Sequence, residues 1–320
     1  MNNWQILEPN KLGGITTTEN LEKVDEVKVK TINCFISLED LDKFSGEIKV
    51  NYPSTPCTIA VGQVVETLKD SNYLKKGSKV FLSPEFARES QTGYLRDFVV
   101  LPESKVYALP KIVSEKEALY LNHISLALSV IDELKIEKGN HVAIFGGSIL
   151  ANILAQLIMY YQSVPIIIDS VDENLEIAHK TNVYYLLKND KNLESDILSI
   201  TGGRKCSKVI FVADCDMNFD LIDKVTRSQA TVAVTGTSTT KKKFSLSYAL
   251  DKELDVRFIK NGIENVNAGI NLIAQKAINL SYFELPSYKF EYAPKHFENA
   301  VTKLEEKGYG GEFIIIDKSV

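Results

Sequence analysis

The spacing of hydrophobic positions changes near residue 113, and the change divides the chain. Before it come short runs rich in β-branched and aromatic residues: "VDEVKVKTINCFI" (24–36), "TIAVGQVVETL" (58–68), "KVFLSPEF" (79–86) and "YLRDFVVLP" (94–102). Separated by polar turns, they predict strands. Pro53, Pro56, Pro84, Pro102 and Pro110 punctuate them, which suits turns and barrel corners rather than helices. At Ser114 the pattern becomes helical. "SEKEALYLNHISLALSVIDEL" (114–134) opens with a capping box, Ser114 followed by Glu117.

From residue 141 strands and helices alternate. Strands are predicted at "HVAIF" (141–145), "VPIIID" (164–169), "VYYLL" (183–187), "KVIFVAD" (208–214), "TVAVTG" (231–236) and "DVRFIKN" (255–261). Between and after them fall the helical segments "LANILAQLIMYYQ", "ENLEIAHKT", "LESDILSIT", "NFDLIDKVTR" and "AGINLIAQKAI". The tail adds a strand, "YKFEYAP", a helix, "HFENAVTKLEEKG", and a last strand, "EFIIID". This order predicts an α/β protein of two domains. A β-rich domain covers 1–113 and is completed by 284–320. A doubly wound parallel sheet of the Rossmann type covers 114–283.

Composition narrows the function. The chain has 320 residues, 44% hydrophobic and 25% charged, with a net charge of -5. That balance fits a soluble globular protein and argues against nucleic acid as partner, since phosphate backbones need a basic face. Lys241, Lys242 and Lys243 form the only basic run, expected in a solvated loop. No apolar run is long enough to span a membrane, and the start "MNNWQILEPNKLGG" carries no export signal. Cys34, Cys57, Cys206 and Cys215 form no CxxC pair, so reduced thiols and a cytoplasmic location are expected.

Candidate chemistry begins at "VAIFGGSILAN" (142–152). A pyrophosphate turn needs a glycine for the bend, a second for close backbone approach and a small third residue for helix packing. Gly146 fills the first place, Ser148 stands at the second and Ala151 at the third. Gly147, Ser148, Ile149 and Leu150 would present their N–H groups to the anion. Serine either crowds the phosphates or donates to them. Asp169 closes the second strand, where an acid accepts from the adenosine ribose hydroxyls and repels a 2′-phosphate. NAD(H) is therefore expected over NADP(H).

These parts in this order resemble the medium-chain dehydrogenase/reductase superfamily, with its GroES-like and Rossmann domains. "ISLEDLDKFSG" (36–46) is similar to the family's I-C-G-S-D-L-H-x-Y-x-G segment, and "GYLRDFVVLPESKVYALP" to its G-G-F-A-E-Y-V-V-V-P stretch. The resemblance implies hydride transfer between a nicotinamide held between the domains and a small alcohol or carbonyl. It also implies a homodimer through "ELDVRFIKN", the segment matching the strand that follows the last parallel one in the family.

The zinc positions depart from the family. Ser37 stands for the cysteine, Thr58 and Ile59 for the His-Glu of G-H-E, and Asn122, beside His123, for the third ligand. The lobe of four cysteines is absent. Hydroxyls and amides are poor zinc ligands, so the expected cofactor set is NAD without zinc. Ser37, Thr58 and Asn122 would then serve as hydrogen-bond donors to the reacting oxygen. Glu39, at the family's proton-relay position, reads as a base or as a solvated turn residue. Asp40 matches the family aspartate that holds the loop. Cys34 and His123 read first as core residues. Glu312 stands where the family carries Lys or Arg near the pyrophosphate. Two functions remain open: a zinc-independent oxidoreductase, or a non-catalytic relative acting as a nucleotide-binding or scaffold subunit.

Overall fold

The structure, a computed structural model, describes residues 2–18, 20–68, 73–212, 221–236, 246–307 and 312–316. Cys215, Lys241–Lys243 and the first three residues of "NFDLIDKVTR" lie outside the described residues. Two compact units are present, residues 1–122 with 284–320, and residues 123–283.

The first unit opens with a hairpin, β1 (Asn2–Glu8) and β2 (Lys11–Thr16). Next come β3 (Glu26–Ile36), α1 (Leu38–Ser45), β4 (Ile59–Thr67), β5 (Lys79–Leu82), α2 (Pro84–Glu89), β6 (Phe98–Pro102), β7 (Val106–Ala108) and α3 (Glu115–Ala118). Helices α1 and α2 interrupt a β-rich region, and α2 begins inside the predicted strand at 79–86. The reason is capping. Ser37 and Asp40 form a capping box on α1, and Ser83 caps α2 ahead of Pro84 at its first turn. Proline is favourable there because the first-turn N–H needs no intrahelical partner. "KVFLSPEF" is thus half strand and half helix.

The predicted helix at 114–134 breaks into α3 and α4 (Leu121–Leu134), and the expected Ser114–Glu117 capping box is formed. The second unit then runs β8 (His141–Phe145), α5 (Ile149–Tyr160), β9 (Val164–Asp169), α6 (Asp172–Lys180), β10 (Tyr185–Lys188) and α7 (Leu193–Ile200). It continues with β11 (Cys206–Val212), α8 (Ile222–Val225), β12 (Thr226–Thr235), α9 (Leu246–Asp251), β13 (Asp255–Ile259) and α10 (Val266–Ala274). Thr226 and Arg227, expected in a helix, already belong to β12. All six strands are parallel, in the order β10-β9-β8-β11-β12-β13. Counted within the unit this is 3-2-1-4-5-6, the Rossmann order. β13 is itself the last parallel strand and an edge, rather than a strand following it. Phe145 and Phe211 stack at 4.4 Å in the core beneath the sheet.

The chain then returns to the first unit with β14 (Ser287–Lys289), α11 (Ala293–Lys307) and β15 (Phe313–Ile316). Only the first two residues of the predicted strand "YKFEYAP" are extended; its end turns into α11. β15 pairs antiparallel with β3 and completes a seven-stranded sheet. Phe297 joins it to α1, with ring centroids 5.3 Å from Phe44 and 5.4 Å from Phe313.

Candidate functional site

The glycine turn follows β8 at the C-terminal edge of the parallel sheet. Gly146 bends it with φ +106°, a conformation that favours glycine. Gly147 is required for space: a Cβ there would lie 2.5 Å from Asn174 Cβ and 3.1 Å from Asp169 Oδ2. Two buried side chains hold its peptide from either side. Asp169 Oδ2 accepts from the Gly147 N–H at 2.6 Å, while Asn152 Nδ2 donates to the Gly147 carbonyl at 2.8 Å and that of Ser148 at 3.0 Å. Asn152 is fully buried and accepts from Thr181 Oγ1 at 3.3 Å. Sequence reasoning missed Asn152. The available signal was a polar side chain inside the apolar helix "LANILAQLIMY".

Asp169 is 8% exposed and also accepts from the Val171 N–H (2.8 Å) and Asn174 Nδ2 (3.1 Å). A carboxylate offers about four acceptor positions. Three are engaged by its own chain, so this residue clamps the turn and retains one acceptor position. Ser148 is the N-cap of α5, yet its side chain makes no capping bond, and its buried Oγ meets no hydrogen-bond partner among the described residues. Ile149 and Leu150 begin α5, whose first turn carries no acid. The first turn of α5 thus offers N–H groups and the positive end of the helix dipole, next to a hydroxyl without a partner among the described residues. The turn fits a pyrophosphate.

We predict that Ser148→Ala stabilises the unliganded protein by about 1 kcal/mol, because a buried unpaired hydroxyl is lost with no cap bond to lose. The same change should weaken NADH binding severalfold. Thermal melting with and without NADH checks both signs.

In the first unit the Asp40 carboxylate organises the residues at the family's metal positions. Oδ2 accepts from Ser37 Oγ (2.7 Å) and the Ser37 N–H (3.0 Å), and Oδ1 from the Cys57 N–H (2.7 Å). The carboxylate thereby ties Ser37 to Cys57, the residue before Thr58. Burial pushes the Asp40 carboxyl up against the opposing pull of the Lys43 charge. Ser37 has a single hydroxyl proton, and it lies on Asp40. Thr58 is buried and Asn122 half-buried at the start of α4. Glu39 pairs with Lys43 at 2.7 Å, with Arg88 at 4.0 Å.

Cys34 and Cys57 are buried thiols donating to the carbonyls of Tyr94 and Ile59. Burial pushes the Cys57 thiol well above its ordinary range. Among the described residues no group of three or more His, Cys, Asp or Glu side chains is placed to hold a metal. His123 retains some exposure, but desolvation pushes its imidazole down to about 4, so it is neutral near pH 7. The β15–β3 register sets Phe313 opposite Ile36 and so carries Glu312 toward Ser37. Its charge, after burial, raises the Tyr120 phenol.

The chain combines a β-rich domain with a Rossmann-type unit that carries a glycine turn. Residues 23–111 match the alcohol dehydrogenase GroES-like domain. The chain is 22% identical over 174 residues to an uncharacterized zinc-type alcohol dehydrogenase-like protein of Haemophilus influenzae, covering 53% of this chain and 50% of that one. It is 24% identical over 212 residues to D-xylulose reductase A of Aspergillus oryzae, covering 64% and 59%. It thus spans between half and three-fifths of the length of these curated relatives.

Among solved structures, a short chain alcohol dehydrogenase from Escherichia coli CFT073, complexed with NADH, superposes with a TM-score of 0.82 at 15% identity, covering 99% of each chain. A zinc-binding dehydrogenase from Sinorhizobium meliloti 1021, bound to NADP, gives 0.80 at 16%, covering 98% of each. Its residues 23–111 thus match the alcohol dehydrogenase GroES-like domain, and its fold is that of these dehydrogenase structures.

Proposed function

We propose that the protein is an oxidoreductase of the alcohol and polyol dehydrogenase type that binds NAD(H) at the glycine turn and works without zinc. The observation that carries this reading is the pinned turn, whose Gly147 peptide is held on both sides while Ser148 Oγ is left uncommitted. When bound, the nicotinamide supplies the hydride acceptor or donor. In this reading Ser148 and the first turn of α5 hold the pyrophosphate. Asp169 offers its remaining acceptor position to the ribose and disfavours a 2′-phosphate.

Thr58 and Asn122 are assigned as donors to the substrate oxygen. The role of Ser37 and Asp40 is to position that segment, because the Ser37 proton is already engaged. The absence of zinc is supported by donor chemistry: two hydroxyls and an amide in place of thiolate and imidazole. The test is a dehydrogenase assay over small alcohols, polyols and their carbonyls, run with metal analysis. Turnover with less than stoichiometric zinc is expected. Turnover that requires one tightly held zinc per chain would refute the zinc-free reading.

A second reading, a nucleotide-binding subunit without catalysis, is favoured by the commitment of Ser37 and Glu39 to neighbouring side chains. It predicts NADH binding with no turnover on any of these substrates. Association is proposed through β13, an edge strand whose outer backbone groups are unpaired in the sheet and whose Phe258 is 80% exposed. Light scattering should give a homodimer at micromolar concentration; a monomer would rule this out.

A further inference from the structure

A second concavity of the Rossmann unit lies at the opposite, N-terminal edge of the sheet from the glycine turn. It measures about 140 Å³, and its lining includes Asn140, His141, Arg204, Lys205, Ser207 and Arg227, with no carboxylate. Sheet topology explains the convergence. β11 lies between β8 and β12, with Lys208 paired to Val142 and Cys206 to Thr226. Ser207 therefore stands beside His141 on one side and near Arg227 on the other. The loop from α7 turns through Gly202 and Gly203, both at positive φ, and delivers Arg204 and Lys205 to the same rim.

The charges of this pocket are only partly balanced. Lys205 Nζ is engaged by Glu194 Oε1 at 2.6 Å and the Asp223 carbonyl at 2.7 Å. Arg204 Nε donates to the Thr201 carbonyl at 3.2 Å, and its terminal nitrogens make no hydrogen bond to another described residue. Arg227 makes no hydrogen bond or ion pair with another described residue. Burial and then the Arg204 charge lower the His141 imidazole. In a chain of net charge -5, this is a local reversal of sign.

We propose that this pocket binds a phosphoryl group, either as free phosphate or carried on a small molecule. Two guanidinium groups, an imidazole and the Ser207 hydroxyl supply the planar and point donors that such a dianion needs. The site is separate from the glycine turn and does not depend on the function proposed above.

The test is calorimetric titration of inorganic phosphate into the full-length protein at low salt, against a chloride control of equal ionic strength. One site is expected, weakened about tenfold or more by Arg204→Gln or by Arg227→Gln. Because both side chains are exposed, melting temperature should not change. Saturating NADH should leave phosphate affinity unaltered, and added salt should weaken it. In a parallel arm, glycerol 3-phosphate binding more tightly than phosphate would assign the site to a phosphorylated small molecule; weaker binding would assign it to the free ion. No binding at millimolar phosphate, binding that survives the double variant, or displacement by NADH would each overturn the proposal.

Discussion

Replacing Asp169 by alanine is expected to destabilise the Rossmann unit by about 3 kcal/mol and to weaken NADH binding at least tenfold. Three donors lose their acceptor: the Gly147 and Val171 N–H groups and the Asn174 amide. The Gly147 bond is buried, so its amide is left without compensation from water. Its hydrogen-exchange protection should fall more than that of the neighbouring β8 amides. The cofactor effect then has two sources, a lost ribose contact and a loosened turn.

Asn152→Leu separates them. It removes the bonds to the Gly147 and Ser148 carbonyls from beneath the turn, without altering the carboxylate. Loss of NADH affinity in both variants identifies the ordered turn as the main source. Loss in Asp169→Ala alone identifies the ribose contact. An Asp169→Ala protein with unchanged stability would show that the clamp contributes nothing.

Asp40→Ala should cost about 3 kcal/mol or more in the β-rich unit. The substitution strips the acceptor from two buried or half-buried N–H groups, at Ser37 and Cys57, and from the Ser37 hydroxyl. It also removes half of the capping box on α1, the helix that carries Phe44 into the core. Ser37→Ala is the milder comparison, expected to cost about 1 kcal/mol because the Cys57 bond survives. Chemical denaturation of both variants checks the ranking, and the opposite order would show that the cap rather than the carboxylate holds this segment.

Most of the architecture could be read from the sequence where periodicity was long and consistent. The βα alternation from His141 to Ile259 gave strands and helices whose parallel order the structure shows. Short helices set by caps rather than by apolar spacing were not legible. In α2 a serine and a proline decide the conformation within a strand-like composition, and α1 starts at the Ser37–Asp40 capping box. The glycine turn was found by spacing, but spacing does not reveal where a side chain directs its hydrogen bonds.

Asp169, expected to face a ribose, also folds back onto Gly147. Ser37, expected to face a substrate, also caps a helix. Gly62, the glycine that remains of the G-H-E-x-x-G pattern, has a packing reason: a Cβ there would meet Val29 Cγ1 at 2.4 Å and the Lys30 carbonyl at 2.5 Å. That glycine serves the sheet.

The central claim is that the pinned turn binds a nicotinamide dinucleotide and prefers the form without a 2′-phosphate. Its most direct test is calorimetric titration of NADH and NADPH into the full-length protein under matched conditions. Saturable binding of NADH at one site per chain, tighter than NADPH, is the predicted result. No binding of either at millimolar concentration, or tighter binding of NADPH, would contradict it.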